Sequence, residues 1–222
     1  MTVYDTARRL PAIPVLRDHC RALAMLEAIL SPSWESRFYS FDAHWSDVEE
    51  MASMSNGSGD EYSIVFSPLG AYVRGFAHES RMSPYVEDGP WPGVLDDVPA
   101  VFRPCVEEPA FSDEDGMPVV TACLWRQAAD TAWRTGGAIE FPDAPDGDPD
   151  GAGLLFPLLT DRDADAYRAF AEDYYEVPVA AAPVHHVLAL RPLTAEVVTT
   201  LNPDLTLPEL ADDIAAIGYP RP

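Results

Sequence analysis

Lysine is absent from the 222 residues: all 14 basic side chains are arginine, set against 37 aspartates and glutamates. The formal charge of −23 repels polyanions, so direct nucleic-acid binding and attachment to anionic membranes are not expected, whereas cationic partners are attracted. Cysteine is scarce as well. Cys20, Cys105 and Cys123 are odd in number and show no C-x-x-C spacing, which excludes a disulfide framework and a cysteine-rich zinc site. Apolar runs are short: Pro11 and Pro14 interrupt the first, and no stretch approaches the roughly 18 residues a membrane span needs. The N-terminal stretch has no basic segment leading into an apolar run, so no export signal is read and a cytoplasmic location is expected.

Catalytic signatures are missing too. Neither G-x-S-x-G nor S-x-x-K occurs, and Gly57-Ser58-Gly59 lacks the remaining frame of a phosphate-binding loop, with Asp60 and Glu61 alongside it. Cys105 falls on an apolar phase beside Glu107 and Glu108, which would raise a thiol pKa, so inert packing is expected there, as at Cys20. No catalytic residue, cofactor or metal is assigned, and the chain reads as a non-enzyme.

What is present is ordinary globular stuff. Apolar residues make up 47% of the chain, enough for a substantial core. The abundance of Ala, Pro, Asp and Gly beside arginine-only basicity points to GC-rich coding or salt adaptation. The acidity is graded: the net charge is −3 over residues 1–56, −9 over 57–140 and −11 over 141–222.

Leu16, Cys20, Leu23 and Leu30 at helical spacing predict a helix over 16–30. Tyr39, Phe41, Ala43 and Trp45 alternate with polar residues and predict a strand. Residues 51–60 read as a flexible loop. Glu61–Phe66 and Ala71–Ala77 flank Ser67-Pro-Leu-Gly70 and predict a hairpin. Residues 80–92 should be irregular, and 94–105 short broken helices. Val119–Arg126 with the segment around Trp133 suggests a second hairpin, and Ile139–Phe141 a short strand. A helix capped by Thr160 is expected over 161–176, a strand over Val184–Leu190, and a short helix from Thr194 to Asn202-Pro203. The last helix is the best specified: Thr206 and Glu209 form a capping box, Leu207, Leu210, Ile214 and Ile217 line one face, and Gly218 ends it. The expectation is one α+β domain spanning 1–222. Its sheet should be mostly antiparallel and built from hairpins, with the N-terminal and C-terminal helices packed on it. The acidic loop 142–153 is the candidate for an internal boundary.

Within that loop, Asp146, Asp148, Asp150 and Gly151 match the first half of a calcium loop, but Pro157 stands where a bidentate glutamate is required. A solvated linker is expected instead. His185 and His186, adjacent in a strand, would face opposite ways and not chelate one metal, with His186 a core histidine. Tyr72, Arg74, Phe76 and His78 share one face of a strand, with Glu79 and Arg81 beyond it. A histidine between a carboxylate and an arginine suits acid–base work or anion binding. The plainer expectation is a solvent-facing sheet surface with cross-strand ion pairs. Trp34, Trp91 and Trp133 near loops are candidate anchors for a partner. The candidate binding set is thus Asp60, Glu61, Tyr72, Arg74, His78, Glu79 and Trp91.

Three functions fit these observations. The first is a non-catalytic acidic binding module, of the immunity or inhibitor type, that neutralises a basic protein. The second is a small-molecule binder or enzyme with a polar site around Arg74, His78 and Glu79. The third is an accessory or scaffold subunit. The oligomeric state is not legible.

Overall fold

The computed structural model describes every residue except Glu87, Asp146 and Pro222. The order of elements is α1 (Val3–Arg9), α2 (Ile13–Leu30), β1 (Tyr39–Asp42), β2 (Glu50–Ser55), β3 (Glu61–Ser67), β4 (Gly70–Phe76), α3 (Arg103–Val106) and β5 (Ala122–Gln127). The remainder is helical: α4 (Ala152–Leu155), α5 (Pro157–Thr160), α6 (Ala164–Tyr175), α7 (Ala181–Leu188), α8 (Ala195–Leu201) and α9 (Ala211–Ile217). The strands form one antiparallel sheet in the order β1-β2-β3-β4-β5. The fold is therefore α+β. Among the described residues, no helix is long and apolar enough to cross a membrane.

The chain divides into two compact units, 1–13 with 53–160 and 14–52 with 161–222. The first is built on the β3–β4 hairpin, paired from Glu61↔Phe76 to Ser67↔Gly70. Gly70, at φ +141°, closes its turn, and a Cβ there would fall 2.1 Å from the Arg126 carbonyl oxygen. β4 lies between β3 and β5 and is buried at all seven positions. One reason is that Gly75 lets the Phe156 and Leu155 side chains come down onto the strand, within 2.8 Å of where a Cβ would sit. The expectation of a solvent-facing β4 surface is thereby corrected: Tyr72, Arg74 and Phe76 are all interior.

In the second unit, α2 buries Leu16, Cys20, Leu23 and the run from Ala24 to Ile29, so it is a core helix rather than a one-sided surface helix. α9 lies against β1, with the Ala43 amide donating to the Ala216 carbonyl at 2.8 Å. The Thr206–Glu209 capping box is formed and Gly218 adopts φ +67°, as the sequence indicates. Tyr219 then pins the chain to α7 through its hydroxyl, which donates to the Val187 and Arg191 carbonyls.

Several local expectations are corrected. Residues 51–55, the first half of the expected 51–60 loop, belong to strand β2: Ala52 and Met54 point inward while Ser53 and Ser55 do not. Val184–Leu190 is not a strand but helix α7 and its end, because Pro183, Val184 and Val187 share a buried helical face that outweighs the β preference of valine. His186 is accordingly half-exposed, its Nε2 against the Pro192 carbonyl at 2.9 Å, and not a core residue. α6 starts at Ala164 with Asp163, not Thr160, as its cap: the Asp163 carboxylate accepts the Ala166 amide. Of the second hairpin only β5 and a Trp125↔Arg134 bridge form, and Ile139–Phe141 is not a strand. Helix α1 has no counterpart in the sequence reading.

Candidate functional site

The predicted binding set separates into three places in the first unit. Asp60 and Glu79 line a hollow of about 310 Å³ together with Ser80, Arg81, Asp148 and Leu154. Asp60 is structural within it: Oδ1 accepts the His78 amide at 2.8 Å and Oδ2 accepts the Asn56 side chain at 2.7 Å, tying the β2–β3 turn to the end of β4. The His78 ring is exposed, with Nδ1 3.5 Å from Asp60 Oδ1. Glu79 and Arg81 are exposed.

Arg74 and Glu61 form a second place. The Arg74 guanidinium donates to Glu61 Oε1 at 2.7 Å and to the Val119 carbonyl at 2.6 Å, and packs over the Phe111 ring. With only 4% of its side chain exposed, Arg74 is held in a largely buried ion pair. Tyr72 is packed against Phe102, and burial raises its hydroxyl pKa well above the ordinary range.

Trp91 lines the third place, a groove of about 530 Å³ with Pro92, Ala138, Glu140, Phe141 and Pro142. Its partner residues come from a stretch almost fifty positions away, which no local pattern could indicate.

The acidic stretch 142–153 belongs to the first unit and is anchored inside it. Asp150 is fully buried: Oδ2 accepts the Val3 amide at 2.8 Å and Oδ1 the Ala152 amide at 3.1 Å. Burial pushes its carboxyl up to about 6, against the pull of those two hydrogen bonds. Asp148 accepts the Gly153 and Leu154 amides at the start of α4. Both carboxylates thus serve as backbone acceptors. Asp146, the first residue of the calcium-like pattern, lies outside the described residues. Among those described, no group of three or more His, Cys, Asp or Glu is placed to hold a metal ion.

The second unit carries two features that the sequence reading passed over. Glu27 is fully buried and accepts the Tyr167 hydroxyl at 2.9 Å, the Tyr175 hydroxyl at 2.5 Å and the Phe38 amide at 2.9 Å. Desolvation raises its pKa against those bonds. The signal was its place on the Leu23–Leu30 stripe, where an acid is out of character. At the end of α6, Glu172, Asp173, Glu176, Val177 and Pro178 border a shallow, nearly flat depression of the surface. Beside it on the helix, Tyr174 is 43% exposed, stacked on Phe170 at 5.6 Å and edge-on to Phe38 at 5.0 Å.

Two of the three thiols are poor nucleophiles. Cys20 and Cys123 are buried, and burial pushes Cys20 far up and Cys123 up to about 12.

The two hollows described in the first unit are lined by four carboxylates (Asp60, Glu79, Asp148 and Glu140) and one cationic side chain, Arg81, and the shallow depression on α6 adds Glu172, Asp173 and Glu176. At least seven of the 14 arginines are meanwhile held in ion pairs by the protein's own acids. No protein-family model matches the chain, and no curated protein or solved structure matches it significantly.

Proposed function

We propose that the protein is a non-catalytic acidic binding module, of the immunity or inhibitor type, that neutralises a basic protein. The observation that carries this is the lining of the two hollows in the first unit: concave places concentrate field, and here they hold four carboxylates (Asp60, Glu79, Asp148 and Glu140) against a single arginine. A charge of −23 needed only for solubility would be expected on convex surface as readily as in hollows. Such a surface gives fast, salt-sensitive association with a cationic partner.

The test compares two variants of equal net charge against a panel of basic globular proteins. One neutralises Glu79, Glu140, Asp173 and Glu176, exposed acids of the hollows and the α6 depression; the other neutralises Glu107, Glu114, Asp204 and Asp212, exposed acids elsewhere. Binding that is lost in the first and kept in the second is the expected result. Equal loss in both would reduce the acidity to a diffuse, non-specific field.

A further inference from the structure

The Trp91 groove combines apolar rings with acid, and its rings are set before anything binds. The Trp91 indole N–H donates to the Glu140 carbonyl at 2.9 Å. Phe141 is met edge-on by Tyr4 at 5.5 Å, and Tyr4 is itself fixed, its hydroxyl donating to the Gly136 carbonyl at 2.9 Å and accepting the Ile139 amide at 3.3 Å. Rings held in this way lose little freedom on binding.

Among the residues that line the groove, Glu140 is acidic and none is basic. Glu140 lines the groove and is exposed, and Asp97 accepts the Gly137 amide at 2.8 Å behind its wall. An indole face attracts cations, and a guanidinium, flat and weakly hydrated, suits it better than an ammonium. Walls of proline and aromatic rings accept a chain in extended form.

We infer that the Trp91–Phe141 groove docks an extended, arginine-bearing segment of the basic partner, with an arginine against the Trp91 ring and Glu140 beside its guanidinium. This rests on the acidic-module reading and adds where the partner touches and which side chain it presents.

The probe is a fluorescein-labelled octapeptide of alternating arginine and proline, followed by anisotropy with the full-length protein at low and at physiological salt. Trp91→Ala should weaken binding roughly tenfold and Glu140→Gln roughly threefold. The peptide with citrulline in place of arginine should bind at least about tenfold less well. Tyr174→Ala, an exposed aromatic in the other unit, should bind as wild type. Circular dichroism checks that each variant is folded, and Glu140→Gln, a change at an exposed side chain, keeps the test valid if Trp91→Ala is not. Wild-type affinity in Glu140→Gln and in every folded Trp91 variant would overturn the groove while leaving the acidic module standing. A wild-type protein that binds no arginine peptide even at low salt would overturn both.

Discussion

Replacing Asp150 by asparagine should change the pH dependence of stability more than stability itself. The carboxyl is fully buried, and its pKa moves from 3.8 in an unfolded chain to about 6 in the fold. At about 1.4 kcal/mol for each tenfold change in proton affinity, ionising it in the folded protein costs about 3 kcal/mol more than in the unfolded chain. Between those two pH values the folded state keeps a proton that the unfolded state has released, so stability falls as pH rises through the window. Asparagine resembles the neutral acid and removes that slope. It also turns an amide toward the Val3 or Ala152 N–H, a pH-independent cost of about 1–3 kcal/mol. Urea unfolding of both proteins from pH 4 to pH 7, followed by tryptophan fluorescence, isolates the effect, because the other carboxylates cancel in the difference. Asp150→Asn should be the less stable protein at pH 4 and gain about 2.4 kcal/mol relative to wild type by pH 7, most of the roughly 3 kcal/mol falling inside that window. A difference that stays constant with pH, or that moves against the variant as pH rises, would refute the reasoning. An NMR titration of the Asp150 side-chain carboxyl gives the same pKa directly.

Other changes probe the remaining buried groups. Glu27→Ala strands the Tyr167 hydroxyl and the Phe38 amide without an acceptor, and should destabilise the second unit by about 2–4 kcal/mol in thermal unfolding. Gly151→Ala forces φ +73° on a residue with a Cβ, 2.2 Å from the Ala77 Cβ, and should cost at least about 2 kcal/mol with loss of amide protection at Val3. Arg74→Met keeps the volume of the stem but leaves the Val119 carbonyl unpaired. Since Glu61 is 44% exposed and water can take it, the loss should be only about 1–3 kcal/mol by urea unfolding.

The elements legible in the sequence were those with local instructions: the Pro68–Gly70 hairpin turn, the long apolar stripe of α2, and the Thr206–Glu209 box. Those missed were decided by neighbours distant in sequence. β2 carries only Ala52 and Met54 as inward residues, too small a pattern to read without the strand beside it. Helix α7 has valines that favour a strand in isolation, and its outcome was set by what covers Pro183, Val184 and Val187. Tyr72 and Arg74 share a strand face with His78 in the sequence, yet both serve the core, because part of the cover over β4 comes from Leu155 and Phe156, about eighty residues further along. Trp91 was singled out as a candidate anchor, but Phe141 and Glu140 reach it through a loop pairing that leaves no periodic trace. Asp150 reads as linker charge because three other acids and three glycines share the 142–153 stretch with it, and no local pattern marks it as buried.

The interleaving of the two units sets an order of events during synthesis. The first unit has all its residues once position 160 has emerged, including the Val3 amide that Asp150 receives. The second cannot close so early. Helix α2 is made near the beginning, yet Tyr167, which caps Glu27, and Asn202, whose side chain donates to the Ile29 carbonyl, lie more than a hundred residues later. At about 5–20 residues per second, the α2 stripe waits on the order of ten seconds for its cover. From the emergence of position 160 until that cover arrives, the nascent chain carries a complete first body and an unburied apolar helix on the same thread, and the helix is the segment a chaperone would hold.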